Sequence, residues 1–178
     1  VTDTTGAESL PSFDKIRISG RDHEQPIVIF PQSEDIAAAS PLKYYSYYMS
    51  EPQEAGVTSK LADNYLTPLA NLSATGFAAV NPTDEELQKY GMDQPIELRF
   101  WIEGKKTTLL IGNVDDSTAY VMFEGGKVIY KVDAANIALA TTKAFDLRDT
   151  LMFLCDISTV KSFEFTDNTG KVYTIEQQ

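Results

Sequence analysis

The sequence offers few side chains for catalysis, because it contains one histidine, His23, and one cysteine, Cys155. His23 follows Asp22 in a predicted turn, but a carboxylate adjacent in sequence does not orient an imidazole ring, and no nearby serine lies in a strained elbow motif. We therefore expect His23 to be a solvated turn residue. Cys155 lies in an apolar stretch with no basic residue close by, so we expect a buried, unreactive thiol.

Metal and disulfide chemistry are limited by the same counts. A lone cysteine and a lone histidine form neither an internal disulfide nor a Cys-rich or multi-histidine metal site. The pair Asp115 and Asp116 lacks the alternating ligands and the terminal glutamate of a calcium loop. The acidic run 84–86 is typical of a helix start. The sequence thus predicts no catalytic residues, no metal site and no cofactor.

Acidic residues outnumber basic ones by 26 to 15, and the formal net charge is −11. Nucleic-acid binding depends on lysine and arginine side chains that neutralise phosphates, so this balance argues against a nucleic-acid partner. No run of about 18 apolar residues occurs, so the sequence as given is not expected to span a membrane. It begins with valine in a polar stretch, 1–12, which we expect to be a flexible lead that followed a removed upstream segment.

The strongest candidate for binding is an aromatic run at 44–49, which is predicted to be a strand. Successive side chains of a strand point to opposite faces, so the tyrosines are expected to divide between a core face and an outer face. Two of them could then contact a protein or a sugar, because a tyrosine ring is apolar and its tip is polar. Burial of the outer face under a helix or a neighbouring domain is the alternative. The residues are Tyr44, Tyr45, Tyr47 and Tyr48.

Arg148 is the second candidate. Its guanidinium could pair with Asp146, Asp149 or Asp156 and so fix the loop that leads to the last two strands. A carboxylate of a ligand or partner could use the same group.

Alternation of apolar and polar residues predicts the strands that position these candidates. The predicted strands are 13–18, 26–30, 44–49, 96–102, 107–111, 119–123, 128–132, 160–166 and 171–176. The first and last pairs are alike, since each is an amphipathic hairpin with a polar turn. This likeness predicts a repeating unit of roughly 145 residues that begins again near Ser158. The alternative is that any two amphipathic hairpins look alike.

Apolar residues at helical spacing predict three helices. They are 59–72, 83–91 and 133–145, the last capped by Asp133. Ser59 is expected to cap the first helix, and Pro68 to kink or shorten it. The second has a capping box, Thr83 with Glu86, and Gly91 supplies the positive φ that ends it.

The predicted fold class is α+β, with antiparallel β-meander sheets and with helices packed on one face, namely those near 60–73 and 134–145. Two units are expected, although one continuous domain at 13–178 is equally compatible with the pattern. The expected units are a hairpin-plus-helix portion at 13–90 and a strand-rich portion at 91–178.

From about residue 59 to the end, the sequence resembles the bacterial domain-of-unknown-function family 4340. The resemblance rests on an ordered set of motifs, of which the tyrosine-glycine-hydrophobic-acidic-x-proline element and the leucine-arginine-aspartate element are the most recognisable. The motifs are 86–95, which includes Tyr90–Pro95, then 109–112, 116–120, 127–132 and 147–149. The N-terminal third matches more loosely, because the tyrosine run stands where the family commonly has a tryptophan strand.

The resemblance implies an extracytoplasmic bacterial protein, typically tethered by an N-terminal membrane segment. Such genes often lie beside those for membrane export transporters of the gliding-motility auxiliary type, and members often carry tandem copies. The family has no agreed catalytic residues to carry across. We therefore expect a non-catalytic module that contacts other proteins of the cell envelope or of a membrane transporter. The alternative is a domain that binds a cell-envelope glycan or peptide through the tyrosine strand.

Overall fold

The computed structural model describes residues 12–33, 40–150 and 160–176. Nine strands form one antiparallel sheet, in the order β4-β3-β2-β1-β6-β7-β8-β9-β5. Their bounds are β1 Lys15–Gly20, β2 His23–Pro31, β3 Tyr47–Glu51, β4 Ala55–Gly56, β5 Ala74–Val80, β6 Ile96–Ile102, β7 Lys105–Val114, β8 Thr118–Phe123 and β9 Val128–Asp133. The sheet takes strands from both of the portions predicted from the sequence, because β1 pairs with β6 and β5 pairs with β9.

One face of the sheet carries the main core. Isoleucine rows such as Ile16 opposite Ile29 place apolar side chains in register across the strands. Two helical segments close this face. The first comprises a π-helical turn, Ala62–Leu66, and helix α1, Thr67–Ala70; the second comprises a 3₁₀ turn, Ala134–Ile137, and helices α3, Ala138–Thr141, and α4, Ala144–Leu147. The α+β class and the packing of these two segments on one face are confirmed.

Helix α2, Asp84–Lys89, lies on the opposite face. Its predicted capping box is present: Glu86 N–H donates to Thr83 Oγ1 and Thr83 N–H donates to Glu86 Oε2. Leu87 packs on a smaller cluster that includes Met122 and Ile129. On the other half of this face, β1, β2, β3 and β6 carry residues that are mostly only partly buried.

The prediction of a strand at 44–49 is wrong for its first half. Ser40 Oγ accepts the N–H of Leu42, and a 3₁₀ turn, Pro41–Tyr44, forms instead, with proline in its first turn. The strand therefore begins only at Tyr47. A local side-chain cap outweighs the β propensity of the aromatic run here.

Both long helices differ from the prediction in detail. Ser59 does not cap the first, which begins after Leu61 without a side-chain cap. The segment is shorter than predicted, since α1 ends at Ala70, and Pro68 lies in the first turn of α1, where proline is tolerated. Asp133 does cap its segment through the N–H of Ala135, but the helix breaks after Thr141. Hydroxyls of Thr141 and Thr142 both donate to the carbonyl of Ala138, which competes with helix continuation.

The last predicted hairpin is present as β10, Ser162–Thr166, and β11, Val172–Glu176, which form a separate two-stranded sheet. Phe163 lies opposite Ile175 and Phe165 opposite Tyr173. The first hairpin has the same two-pair pattern, with isoleucines at all four positions. The second repeat stays a prediction. The lead at 1–12 falls almost wholly outside the described residues, as does the apolar stretch with Cys155 and Asp156.

Candidate functional site

The four tyrosines of the aromatic run lie on two separate surfaces near the β4 edge of the sheet. Tyr44, Tyr45 and Tyr47 line a cleft beside β3 and β4. Tyr48 lies on the opposite face of the sheet, where its ring stacks on that of Phe30. The division follows from strand alternation only at Tyr47 and Tyr48, because the other two residues precede the strand.

The first surface, here named the tyrosine cleft, encloses about 220 Å³. It is small, and its wall contains three tyrosine rings, the aliphatic hydroxyls of two serines and one threonine, and one carboxylate. The described lining residues are Tyr44, Tyr45, Ser46, Tyr47, Val57, Thr58, Ser59 and Asp149.

Backbone pairing brings Asp149 to this cleft. The N–H of Asp149 donates to the carbonyl of Gly56 at 2.9 Å, and the N–H of Thr58 donates to the carbonyl of Leu147 at 3.0 Å. Between these bonds, Val57 forms an isolated antiparallel bridge with Arg148. The leucine-arginine-aspartate element is thus held like a short strand against the chain that follows β4.

Arg148 itself is half-buried and is not among the residues that line the cleft. Within the described part of the chain, none of the ion pairs involves its guanidinium. Backbone hydrogen bonds fix the loop at 147–149. Such bonds depend little on residue type, so the sequence contained no sign of them and only the charge of the Arg148 side chain stood out. A ligand role for Arg148 stays a prediction.

Tyr45 is packed tightly inside the cleft. A Cβ added at Gly56 would lie 2.5 Å from the Tyr45 ring, so only glycine leaves room for the ring there. Burial and, to a lesser extent, the negative charge of Asp149 raise the pKa of the Tyr45 hydroxyl above its usual value. A tyrosine hydroxyl is protonated at neutral pH without any shift and can donate a hydrogen bond; the raised pKa extends the protonated form to higher pH.

The second surface, here named the aromatic–basic face, is a row of side chains across four strands. Lys15 on β1 lies opposite Trp101 on β6, and its Nζ is 5.2 Å from the Trp101 ring centroid and 5.3 Å from that of Phe30. Phe30 lies opposite Tyr48 in the β2–β3 register, and their ring centroids are 5.6 Å apart. The ammonium thus contacts two aromatic faces, an arrangement stabilised by cation–π attraction.

Two arginines extend this face. Arg17 and Arg99 lie directly opposite each other on β1 and β6, which would be repulsive without counter-charges. Glu51 lies 3.5 Å from Arg17, and Glu97 pairs with Arg99. In a chain of net charge −11, this face gathers three basic residues among three aromatic rings. Sequence inspection missed it, because strands β1 and β6 are far apart in the chain.

His23 does not lie in a solvated turn, so that prediction is wrong. It begins β2, and its Nε2 donates to the carbonyl of Ala140 at 2.7 Å. Lys143 Nζ donates to the carbonyl of Asp22 at 2.5 Å, and a hollow of about 310 Å³ opens beside these residues. Its described lining contains no serine, threonine or cysteine. The imidazole thus joins the first hairpin to α3, and none of the described lining residues offers it a hydroxyl or thiol nucleophile.

The Tyr90–Pro95 motif has the structural role expected from the sequence. Gly91 has φ of +73°, and a Cβ there would meet Asn113 Oδ1 and lie 2.8 Å from Arg21 Nη1. A Cβ on Gly20 would lie 2.9 Å from the Cα of Ile96, immediately after Pro95. The motif is therefore close-packed against the first hairpin.

No cluster of three or more potential metal-ligating side chains occurs in the described ranges. Nor does any described helix have the length and apolar character needed to cross a membrane.

Comparison with known families gives one match. Residues 48–178 match the family DUF4340, a domain of unknown function, and the chain belongs to that family. The match begins at Tyr48, so it includes the nine-stranded sheet from β3 onward, both signature motifs and the last hairpin. No curated protein and no solved structure matches the chain.

Proposed function

We propose that this chain is a non-catalytic protein-interaction module and that the aromatic–basic face is its contact surface. The observation that supports the proposal is the row formed by Trp101, Lys15, Phe30 and Tyr48, which are all only partly buried. Tryptophan, tyrosine and arginine are the residue types that contribute most to protein–protein binding energy. The sheet register fixes which members of this row are neighbours.

The proposal places the chain outside the cytoplasm of a bacterium, tethered to the membrane in the full-length protein. Its partners are proteins of the cell envelope or of a membrane export transporter, as the family resemblance implies. The surface suits a partner that offers aromatic or carboxylate groups, because its cations are arranged around ring faces. No catalytic step is assigned, since the one histidine uses Nε2 to bond a main-chain carbonyl.

The test uses a photo-reactive phenylalanine analogue placed at Tyr48 in the full-length protein, expressed in its native bacterium. A matched control places the same group at Phe145, an aromatic residue that is 79% exposed on α4. We expect an adduct with an envelope or transporter protein from position 48 and none from position 145.

The partner found in this way is then purified and its affinity measured by calorimetry. Tyr48→Ala and Lys15→Glu should each weaken binding by about tenfold or more, as expected for residues at an interface centre, whereas Phe145→Ala should not. Equal adducts from both positions, or unchanged affinity in both face variants, would refute the proposal.

A second candidate function is binding of a cell-envelope glycan or peptide. The observation that favours it is the tyrosine cleft, which combines phenol rings, hydroxyls and the carboxylate of Asp149. An N-acetylglucosamine oligomer or a cell-wall peptide added to the ¹⁵N-labelled chain should shift the amide signals of Gly56 and Val57. The amide signals of β9, which lies near the opposite edge of the sheet, should not shift.

A further inference from the structure

We propose that the tyrosine cleft binds a single cationic side chain, a lysine ammonium or an arginine guanidinium, presented by a partner polypeptide. The inference rests on the second candidate function, to which it gives a ligand class. It does not depend on the aromatic–basic face, which lies on the other side of the sheet.

The size of the cleft favours one side chain over a larger ligand. Pockets for drug-sized molecules usually enclose roughly 300–1,000 Å³, whereas this cleft encloses about 220 Å³. The main chain beside the cleft is paired on both sides of Gly56, which lies opposite Tyr48 and accepts the N–H of Asp149. A preformed site reduces the ordering cost of binding a small group.

The wall chemistry favours a cation. Aromatic ring faces attract ammonium and guanidinium groups, and the Tyr44 ring, which is 45% exposed, already contacts one from within the chain: Lys43 Nζ lies 4.7 Å from its centroid. Asp149 adds a negative charge on the same wall. A carboxylate has several acceptor positions, so Asp149 can accept from a ligand in addition to its contacts inside the protein.

The electrostatic balance points the same way. Asp149 is the one acidic residue among the described lining residues, and none of these residues is basic. The Lys43 ammonium lies beside the Tyr44 ring at the edge of the cleft. The whole chain carries −11, which attracts basic segments and raises their rate of encounter. A neutral sugar would gain from the rings but not from this charge.

The experiment compares two end-blocked pentapeptides, Gly-Gly-Lys-Gly-Gly and the same peptide with norleucine in place of lysine. Binding to the ¹⁵N-labelled chain is followed through the amide signals of Gly56, Val57 and Asp149. We expect saturable shifts with the lysine peptide and none with its neutral counterpart. Asp149→Asn should weaken lysine-peptide binding about fivefold, whereas Asp146→Asn, a matched control at an exposed position in the preceding helix α4, should leave it unchanged.

Equal binding of the norleucine peptide, or unchanged binding by Asp149→Asn, would overturn the inference. If Asp149→Asn loses the dispersed spectrum of the folded chain, Tyr44→Ala, at an exposed residue, tests whether the cleft wall binds the lysine ammonium. Unchanged binding by Tyr44→Ala would also overturn the inference. An N-acetylglucosamine dimer distinguishes failure of this inference from failure of the second candidate function. If the sugar shifts the cleft signals and the lysine peptide does not, the inference fails while the second candidate function stands; if neither ligand shifts them, both fail.

Discussion

Replacing Gly91 with alanine is expected to destabilise the chain far more than the same replacement at Gly104. The two glycines have nearly the same conformation, with φ of +73° and +72°. Both variants therefore place a Cβ in the left-handed region, at a cost of about 1–2 kcal/mol. They differ in their surroundings, since a Cβ on Gly104 meets nothing within 4 Å.

At Gly91 the added methyl group meets a small hydrogen-bond network. Arg21 Nη2 donates to the carbonyl of Gly112 at 2.5 Å, and Asn113 Nδ2 donates to the carbonyl of Lys89 at 3.0 Å. A hydrogen bond contributes a net of about 1 kcal/mol, so displacing both side chains adds about 2 kcal/mol. We expect Gly91→Ala to lower the free energy of unfolding by about 3–4 kcal/mol in total.

The assay is urea unfolding followed by the fluorescence of Trp101, the single tryptophan. The cost of Gly91→Ala should exceed that of Gly104→Ala by about 2 kcal/mol. In an Asn113→Ala background the difference should shrink, because the nearest obstacle to the methyl group is gone. If the two glycine variants are equally destabilised, contacts around Gly91 add nothing to the backbone cost, and the claim that a methyl group there displaces Arg21 and Asn113 is wrong.

Three further predictions concern local electrostatics and capping. Thr83→Ala should cost about 1 kcal/mol in urea unfolding by removing the α2 cap, and an unchanged midpoint would contradict this. Asp149→Asn should lower the pKa of Tyr45 in a ¹³C titration of its ring, while leaving it above the usual value because burial is the larger cause; no change would show that the two groups do not interact. The pKa of Asp115 is lowered because its carboxylate accepts the N–H groups of the β7–β8 turn. The stabilisation from its ionised form is therefore present above pH 3.8, the unperturbed pKa, and is lost as the pH falls through the lowered value. Protection of the amides in this turn, measured relative to intrinsic exchange at each pH, should fall over that range in the native chain but not in Asp115→Asn.

Features with local causes were predictable from the sequence. Thr83 and Glu86 form their capping box within four residues, and Gly91 takes the positive φ that ends α2. The hairpins are equally local, because alternation and turn residues lie side by side in the chain. Strand β5 was not predicted, since a sequence of mostly alanine and glycine at 74–80 has little β propensity. It forms because β9 pairs with it through two bulges.

The candidate site was predictable only in part. The tyrosine run indicated binding, but the pattern did not show that Ser40 would cap a turn ahead of the strand and so separate Tyr44 and Tyr45 from it. Nor could His23 be placed, because its hydrogen-bond partner, Ala140, is 117 residues away.

By itself, the sequence determined the α+β class, the hairpin turns, both ends of α2, and the small number of chemically active side chains. The tertiary structure alone decided which side chains meet. Lys15 contacts Trp101 because β1 pairs with β6, and Asp149 lines the tyrosine cleft because its backbone pairs with Gly56. Neighbours of this kind are set by pairing between distant strands, which depends on burial of the whole sheet and not on any local pattern of residues.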